Sequence, residues 1–122
     1  MYNGNPSYRR TMAVLVLTTV PDLERGEAIA RALVEEGLAA CASIGGPMTS
    51  IYRWQGATEQ AIEHQMVIKT VREQVTAVQA RVVALHPYQL PELVVLEVTG
   101  GSAEYLAWIR AETAGSGSAG TR

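Results

Sequence analysis

The stretch Ser50-Ile51-Tyr52-Arg53-Trp54-Gln55-Gly56-Ala57 decides the fold, because it sets a hairpin turn in the middle of the chain. Ser50 to Trp54 is rich in residues that suit a pleated strand, and Gln55, Gly56 and Ala57 supply the turn. Glu63 to Thr70 then returns as the partner strand of a hairpin centred near Gly56. On the other side, Leu38 to Ile44 is short-chained and apolar until Gly45, Gly46 and Pro47 interrupt it. One long strand with a bulge or bend at the glycines is expected there rather than two separate elements. The hairpin then runs from about Ala42 to Val67.

A strand and a helix flank this hairpin on each side. Met12 to Leu17 is continuously apolar and ends in Thr18 and Thr19, the pattern of a strand buried on both faces. Pro21 and Asp22 mark a helix start, since Asp22 can accept from a free amide of the first turn. Ile29 and Leu33 form the apolar stripe, Arg31, Glu35 and Glu36 face outward, and Gly37 can close the helix in the left-handed conformation. Beyond the hairpin, Thr70 and Glu73 have capping-box spacing, and Val75, Val78, Val82 and Leu85 recur at helix spacing until Pro87 stops them. Leu93 to Val98 is a second continuous apolar strand, and a short helix is expected from about Ser102 with Leu106 and Ile109 buried.

The order strand, helix, strand, strand, helix, strand, plus a terminal helix predicts an α/β (α+β) fold, a ferredoxin-like α/β sandwich. Right-handed crossovers put the two main helices on one face of a single sheet. Residues 1–10 read as a flexible N-terminal arm, 11–114 as the domain, and 115–122 as a flexible Gly/Ser tail. Because Met12 to Leu17 and Leu93 to Leu96 do not alternate with polar residues, the second face also requires a cover, either a terminal segment or another subunit. The hairpin adds unpaired edges for strand pairing, so a cyclic oligomer is expected.

The 122 residues, 48% apolar and 18% charged, support one core and not two domains. Ten basic and twelve acidic residues give a net charge of -2 without a block of either sign, which argues against nucleic acid or an acidic membrane surface as partner. A single cysteine, Cys41, leaves no internal disulfide and fits a reducing compartment. No apolar signal region opens the chain and the longest apolar runs are strand-sized, so a cytoplasmic location is expected.

Chemistry concentrates in His86-Pro87-Tyr88-Gln89-Leu90-Pro91-Glu92, where two prolines stiffen a loop that carries titratable His86 and Glu92. Such a loop is also simply a way to turn a chain without fraying. Cys41 reads as a small buried hydrophobe or as a soft ligand for Cu(I), and neutral His86 suits Cu or Zn. Without CxxC, HxH or HExxH spacing, any metal site must be assembled in space. Glu59 and Glu63 share a strand face and His64 takes the other, as a solvated flank or as part of an intersubunit cleft. Tyr52 and Trp54 share a face suited to subunit packing, and Lys69 could hold an anion or pair with Glu63 or Glu92. No phosphate-cradling glycine loop, Ser/His/Asp arrangement or nucleotide fingerprint is present, so no catalytic residue is assigned.

Four segments together resemble the CutA divalent-cation tolerance proteins: Leu38 to Cys41, Ser50 to Gly56, Glu63 to Thr70 and His86 to Glu92. The resemblance spans about Met12 to Ile109. It implies a cytoplasmic homotrimer tied to tolerance of copper and other divalent cations, acting by binding or signalling and not as an enzyme. The family cysteine matches Cys41, the aromatic hairpin positions match Tyr52 and Trp54, the strand Glu and Lys match Glu63 and Lys69, and the loop matches His86, Pro87, Tyr88, Pro91 and Glu92. Departures lie at Ala42 and Ser43, where a larger pair is usual, at Arg53 between the aromatics, and at Gln55, where an acidic residue is frequent. The expectation is therefore a trimeric metal-responsive binding protein, with Cys41, Glu63 and His86 as ligands for Cu or Zn and with Tyr52, Trp54, Lys69, Tyr88 and Glu92 lining an intersubunit groove. The alternative is a small-molecule or protein-binding regulatory module that uses the same grooves.

Overall fold

The structure, a computed structural model, describes residues 12–113; the expected arm and tail lie outside the described residues. Strand β1 (Ala13–Val20) leads to helix α1 (Leu23–Glu35), the hairpin strands β2 (Cys41–Trp54) and β3 (Ala57–Val71), helix α2 (Val75–Leu85), strand β4 (Val94–Glu97) and helix α3 (Ala103–Glu112). The strands form one antiparallel sheet in the order β2-β3-β1-β4, a ferredoxin-like sandwich with an extended middle hairpin.

The hairpin closes through Gln55 and Gly56, both with positive φ (51° and 83°), so the tight turn follows the twist of its strands. Farther down, the register shifts between Ile44 and Pro47. One extra residue there exchanges the faces of β2. Before the bulge Cys41 lies opposite Lys69, and after it Met48 lies opposite Glu63 and Tyr52 opposite Glu59. Tyr52 and Trp54 consequently share the face of Glu63, which they would leave in an unbulged strand.

One face of the sheet is packed under α1 and α2, where Val16, Val20, Met66 and Ile68 meet Ile29, Leu33, Val78 and Val82. Asp22 caps α1 by accepting from the Arg25 amide at 2.8 Å, and Gly37 at φ 75° follows its C-terminal end. Helix α1 approaches the sheet so closely at Gly26 that a Cβ there would lie 3.1 Å from Val20 Cγ2.

Three local expectations change. The Thr70 to Glu73 capping box does not form, because Thr70 is still in β3 and its hydroxyl donates to the Leu38 carbonyl at 2.6 Å. Helix α2 instead begins after a single 3-10 turn, Arg72–Gln74, without a side-chain cap. Leu85 lies outside the buried stripe of Val78 and Val82 and is exposed. Strand β4 is shorter than expected, and Val94, Val95 and Leu96 are 44%, 37% and 45% exposed within one chain. Among the described residues this edge strand pairs only with β1, and none covers its outer edge.

The second face is partly covered from within. Ser102 caps α3 by accepting from the Tyr105 amide at 3.2 Å, and Ile109 packs with Ala40 and Val71. That places α3 at the Val71 end of the sheet. Between it and the far end, Leu15 and Leu17 remain half-buried beside exposed Val94 and Leu96.

Candidate functional site

At the far end of the second face, α2 stops at Leu85 and His86 turns to extended backbone before Pro87. The His86 ring is buried, with Nε2 2.7 Å from the Thr19 carbonyl and Nδ1 3.1 Å from the Tyr88 amide nitrogen. A backbone N–H can only donate, so Nδ1 must accept and Nε2 carries the proton that is donated to Thr19. This neutral imidazole pins the loop to the end of β1. Its ring lies 4.8 Å from that of Tyr88.

Tyr88 in turn donates its hydroxyl hydrogen to Glu63 Oε2 at 2.8 Å, and Thr19 Oγ1 donates to the same oxygen at 3.3 Å. Glu63 is only 8% exposed, yet none of the ion pairs among the described residues includes it. The Tyr88 phenol is held well above the usual tyrosine range, first by burial and then by the hydrogen bond and negative charge of Glu63, with Tyr52 and Asp22 adding to the effect. Tyr88 therefore stays a neutral donor at ordinary pH.

Above this network lies a cavity of ≈ 730 Å³ between the hairpin and the loop. Tyr52, Trp54, Tyr88 and Leu90 supply its apolar surface, Thr19 and Glu63 its buried polar groups, and Arg53 and Glu92 also border it. Five residues selected from sequence, Tyr52, Trp54, Glu63, Tyr88 and Glu92, thus converge here, with His86 behind them. Thr19 escaped the sequence reading as a site residue; the polar end of an otherwise apolar strand was its only signal.

Cys41 and Lys69 stand elsewhere. They face each other across β2 and β3, six residues along β3 from Glu63, or about 20 Å at roughly 3.3 Å per residue. Lys69 donates to the Tyr105 hydroxyl at 3.1 Å and lies 5.3 Å from that ring centre. Its pKa is raised, mainly by the Tyr105 bond, against an opposing effect of burial and with help from the charges of Tyr105 and Cys41. Cys41 Sγ is 3.9 Å from Ser43 Oγ. The expected ligand set Cys41, Glu63 and His86 is therefore not brought together in one chain, and no group of three or more His, Cys, Asp or Glu residues suited to a metal ion occurs among the described residues. A cation beside Cys41 would also meet the ammonium of Lys69. His64, on the opposite face from Glu63, has Nδ1 2.9 Å from the Gly45 carbonyl and so holds the bulge.

Comparison with known proteins agrees with this architecture. Residues 14–112 match the family model of the CutA1 divalent ion tolerance protein. The divalent-cation tolerance protein CutA of Thermus thermophilus is 47% identical over 102 residues, covering 84% of this chain and 99% of that protein. Its counterpart in an Escherichia coli strain is 43% identical over 101 residues, covering 83% and 90% respectively. The crystal structure of CutA from Xylella fastidiosa superposes with a TM-score of 0.81 at 46% identity, over 83% of this chain and 97% of that one. On the agreement of fold, matched length and sequence, the chain belongs to the CutA1 divalent ion tolerance protein family.

Proposed function

We propose that this protein serves divalent-cation tolerance as a homotrimeric, non-catalytic binding protein of the cytoplasm, with its ligand sites in the seams between subunits. The observation that carries this reading is the apolar surface of β4, where Val94 and Leu96 on the second face and Val95 on the helix face are exposed beside a strand edge that is unpaired among the described residues. Covering what these side chains leave exposed contributes on the order of 2 kcal/mol per subunit, at roughly 0.8 kcal/mol per buried CH₂. Pairing of the β4 edge with a neighbouring copy would add hydrogen bonds. The number three comes from the family resemblance. Light scattering at low micromolar concentration tests it: three times the 13.1 kDa chain mass supports the proposal, and a single 13.1 kDa species overturns it.

For copper or zinc, Cys41, Glu63 and His86 are the proposed ligands. Their separation along β3 requires Cys41 and Glu63 to come from different copies. His86 can coordinate only after losing its bond to Thr19 or to the Tyr88 amide. Calorimetric titration with Cu²⁺ and Zn²⁺ should show smaller heats for Cys41→Ala and His86→Ala than for the parent; equal heats would remove these residues from the site, and no heat from the parent would remove the metal.

A second reading, binding of a small molecule in the cavity, is favoured by one specific observation. Glu63 offers that space a buried carboxylate whose bonding is incomplete.

A further inference from the structure

We propose that the cavity between the hairpin and the 86–92 loop takes a small organic ammonium ion, its nitrogen on Glu63 and its carbon groups against Tyr52, Trp54 and Tyr88. This rests on the reading of the cavity as a ligand site and names the ligand class.

The carboxylate comes first. Glu63 is 8% exposed and its two donors, Thr19 and Tyr88, are neutral hydroxyls that both address Oε2. No cationic side chain reaches it among the ion pairs of the described residues. A buried carboxylate without a counter-charge is costly, so the site favours whatever cation can enter it. Tyr88 cannot relieve that charge, because its proton is already committed to Oε2. The other carboxylate oxygen, Oε1, is the acceptor left for a ligand.

The walls decide which cation. Tyr52, Trp54 and Tyr88 present aromatic rings, whose negative faces attract a cation and whose area shelters alkyl groups. A bare divalent ion instead requires four or more oxygen, nitrogen or sulfur ligands, and beside Glu63 the aromatic walls of this cavity provide none. The ≈ 730 Å³ volume fits a small molecule and far exceeds an ion. Arg53 and Glu92, the other charged residues at the cavity, carry opposite signs and leave Glu63 as the uncompensated charge. Arg53 also belongs to the opposite strand face from Tyr52 and Trp54, so the rings and the carboxylate share one surface without it.

The test uses the full chain with Trp108→Phe, which leaves Trp54 as its single tryptophan. Fluorescence is followed during titration with n-butylammonium chloride, with matched potassium chloride and 1-butanol as controls. The expected result is a saturable change with butylammonium, at least tenfold weaker binding of 1-butanol, and no change with potassium chloride. Glu63→Gln should weaken butylammonium binding about tenfold or more. Tyr52→Leu, which keeps the carboxylate, should weaken it severalfold and serves if Glu63→Gln fails to fold. Equal binding of butylammonium and 1-butanol would overturn the ammonium assignment while keeping a ligand cavity. No saturable signal with either would overturn the cavity reading as well, including the case in which a neighbouring copy fills the space with its own cationic side chain. Light scattering on the same samples reports separately on the trimer.

Discussion

Tyr88 and Glu63 are joined by a 2.8 Å hydrogen bond that ties the loop before β4 to the middle of β3. Through His86 the same loop is fastened to the end of β1, so three segments distant in sequence share one buried network. The cavity wall depends on it.

Removing the phenol hydroxyl should therefore cost more than an ordinary surface change. Tyr88→Phe leaves a buried carboxylate with Thr19 as its one remaining donor among the described residues, and should destabilise the protein by about 1.5 to 3 kcal/mol, the range for a hydrogen bond to a charged group. Urea unfolding of parent and variant measures this; a difference below about 0.5 kcal/mol would mean that water replaces the hydroxyl without loss.

The same residue sets an alkaline limit. Burial and Glu63 raise the folded-state pKa of Tyr88 above the ordinary tyrosine value of about 10, so the folded chain holds this proton more tightly than the unfolded one. The contribution is complete below about pH 10 and declines as pH rises toward the folded pKa, because the unfolded state then releases the proton first. Stability measured from pH 8 to 11 should fall more steeply for the parent than for Tyr88→Phe above pH 10. Parallel curves would contradict the assigned cause.

His86→Ala should loosen the loop while leaving the helical core in place. The Tyr88 amide loses its acceptor and the Thr19 carbonyl its donor, so hydrogen exchange at Tyr88 should accelerate at least tenfold while Val82, on the buried face of α2, stays protected. Unchanged exchange at Tyr88 would show that Pro87 and Pro91 hold the loop without the imidazole.

The bulge makes a sharper structural prediction. Deleting Gly46 should restore an even register, turning Tyr52 and Trp54 away from Glu63 and abolishing the cavity, unless the turn at Gly56 slips to compensate. Nuclear Overhauser contacts locate the rings: persistence of Trp54 on the face of Glu63 would mean that the bulge does not set the parity.

Much of this was legible where the cause is local. Asp22 as cap, Gly37 as helix terminator and Gln55-Gly56 as turn follow from residues near each position in the chain. Thr70 has the spacing of a cap but does not act as one, because its hydroxyl partner, Leu38, arrives only when the sheet forms. The grouping of Cys41 with Glu63 followed ligand chemistry, but the pairing of Cys41 with Lys69 separates them, and that pairing is a property of strand register. The His86 to Glu92 loop stands out in the sequence through its two prolines and titratable side chains, while the use of both imidazole nitrogens to hold it depends on contacts with β1 and with the loop backbone. Exposure of β4 was hidden in a different way: an apolar run shows that a strand needs cover without showing which chain provides it.

In the proposed trimer, another copy of this chain provides that cover. Light scattering of the parent and of Leu96→Glu at low micromolar concentration tests it most directly, since Leu96 lies on the second face of the β4 edge strand and is 45% exposed in a single chain. Three times 13.1 kDa is expected for the parent and a shift toward 13.1 kDa for the variant; a parent that already runs as a 13.1 kDa species would rule out the trimer.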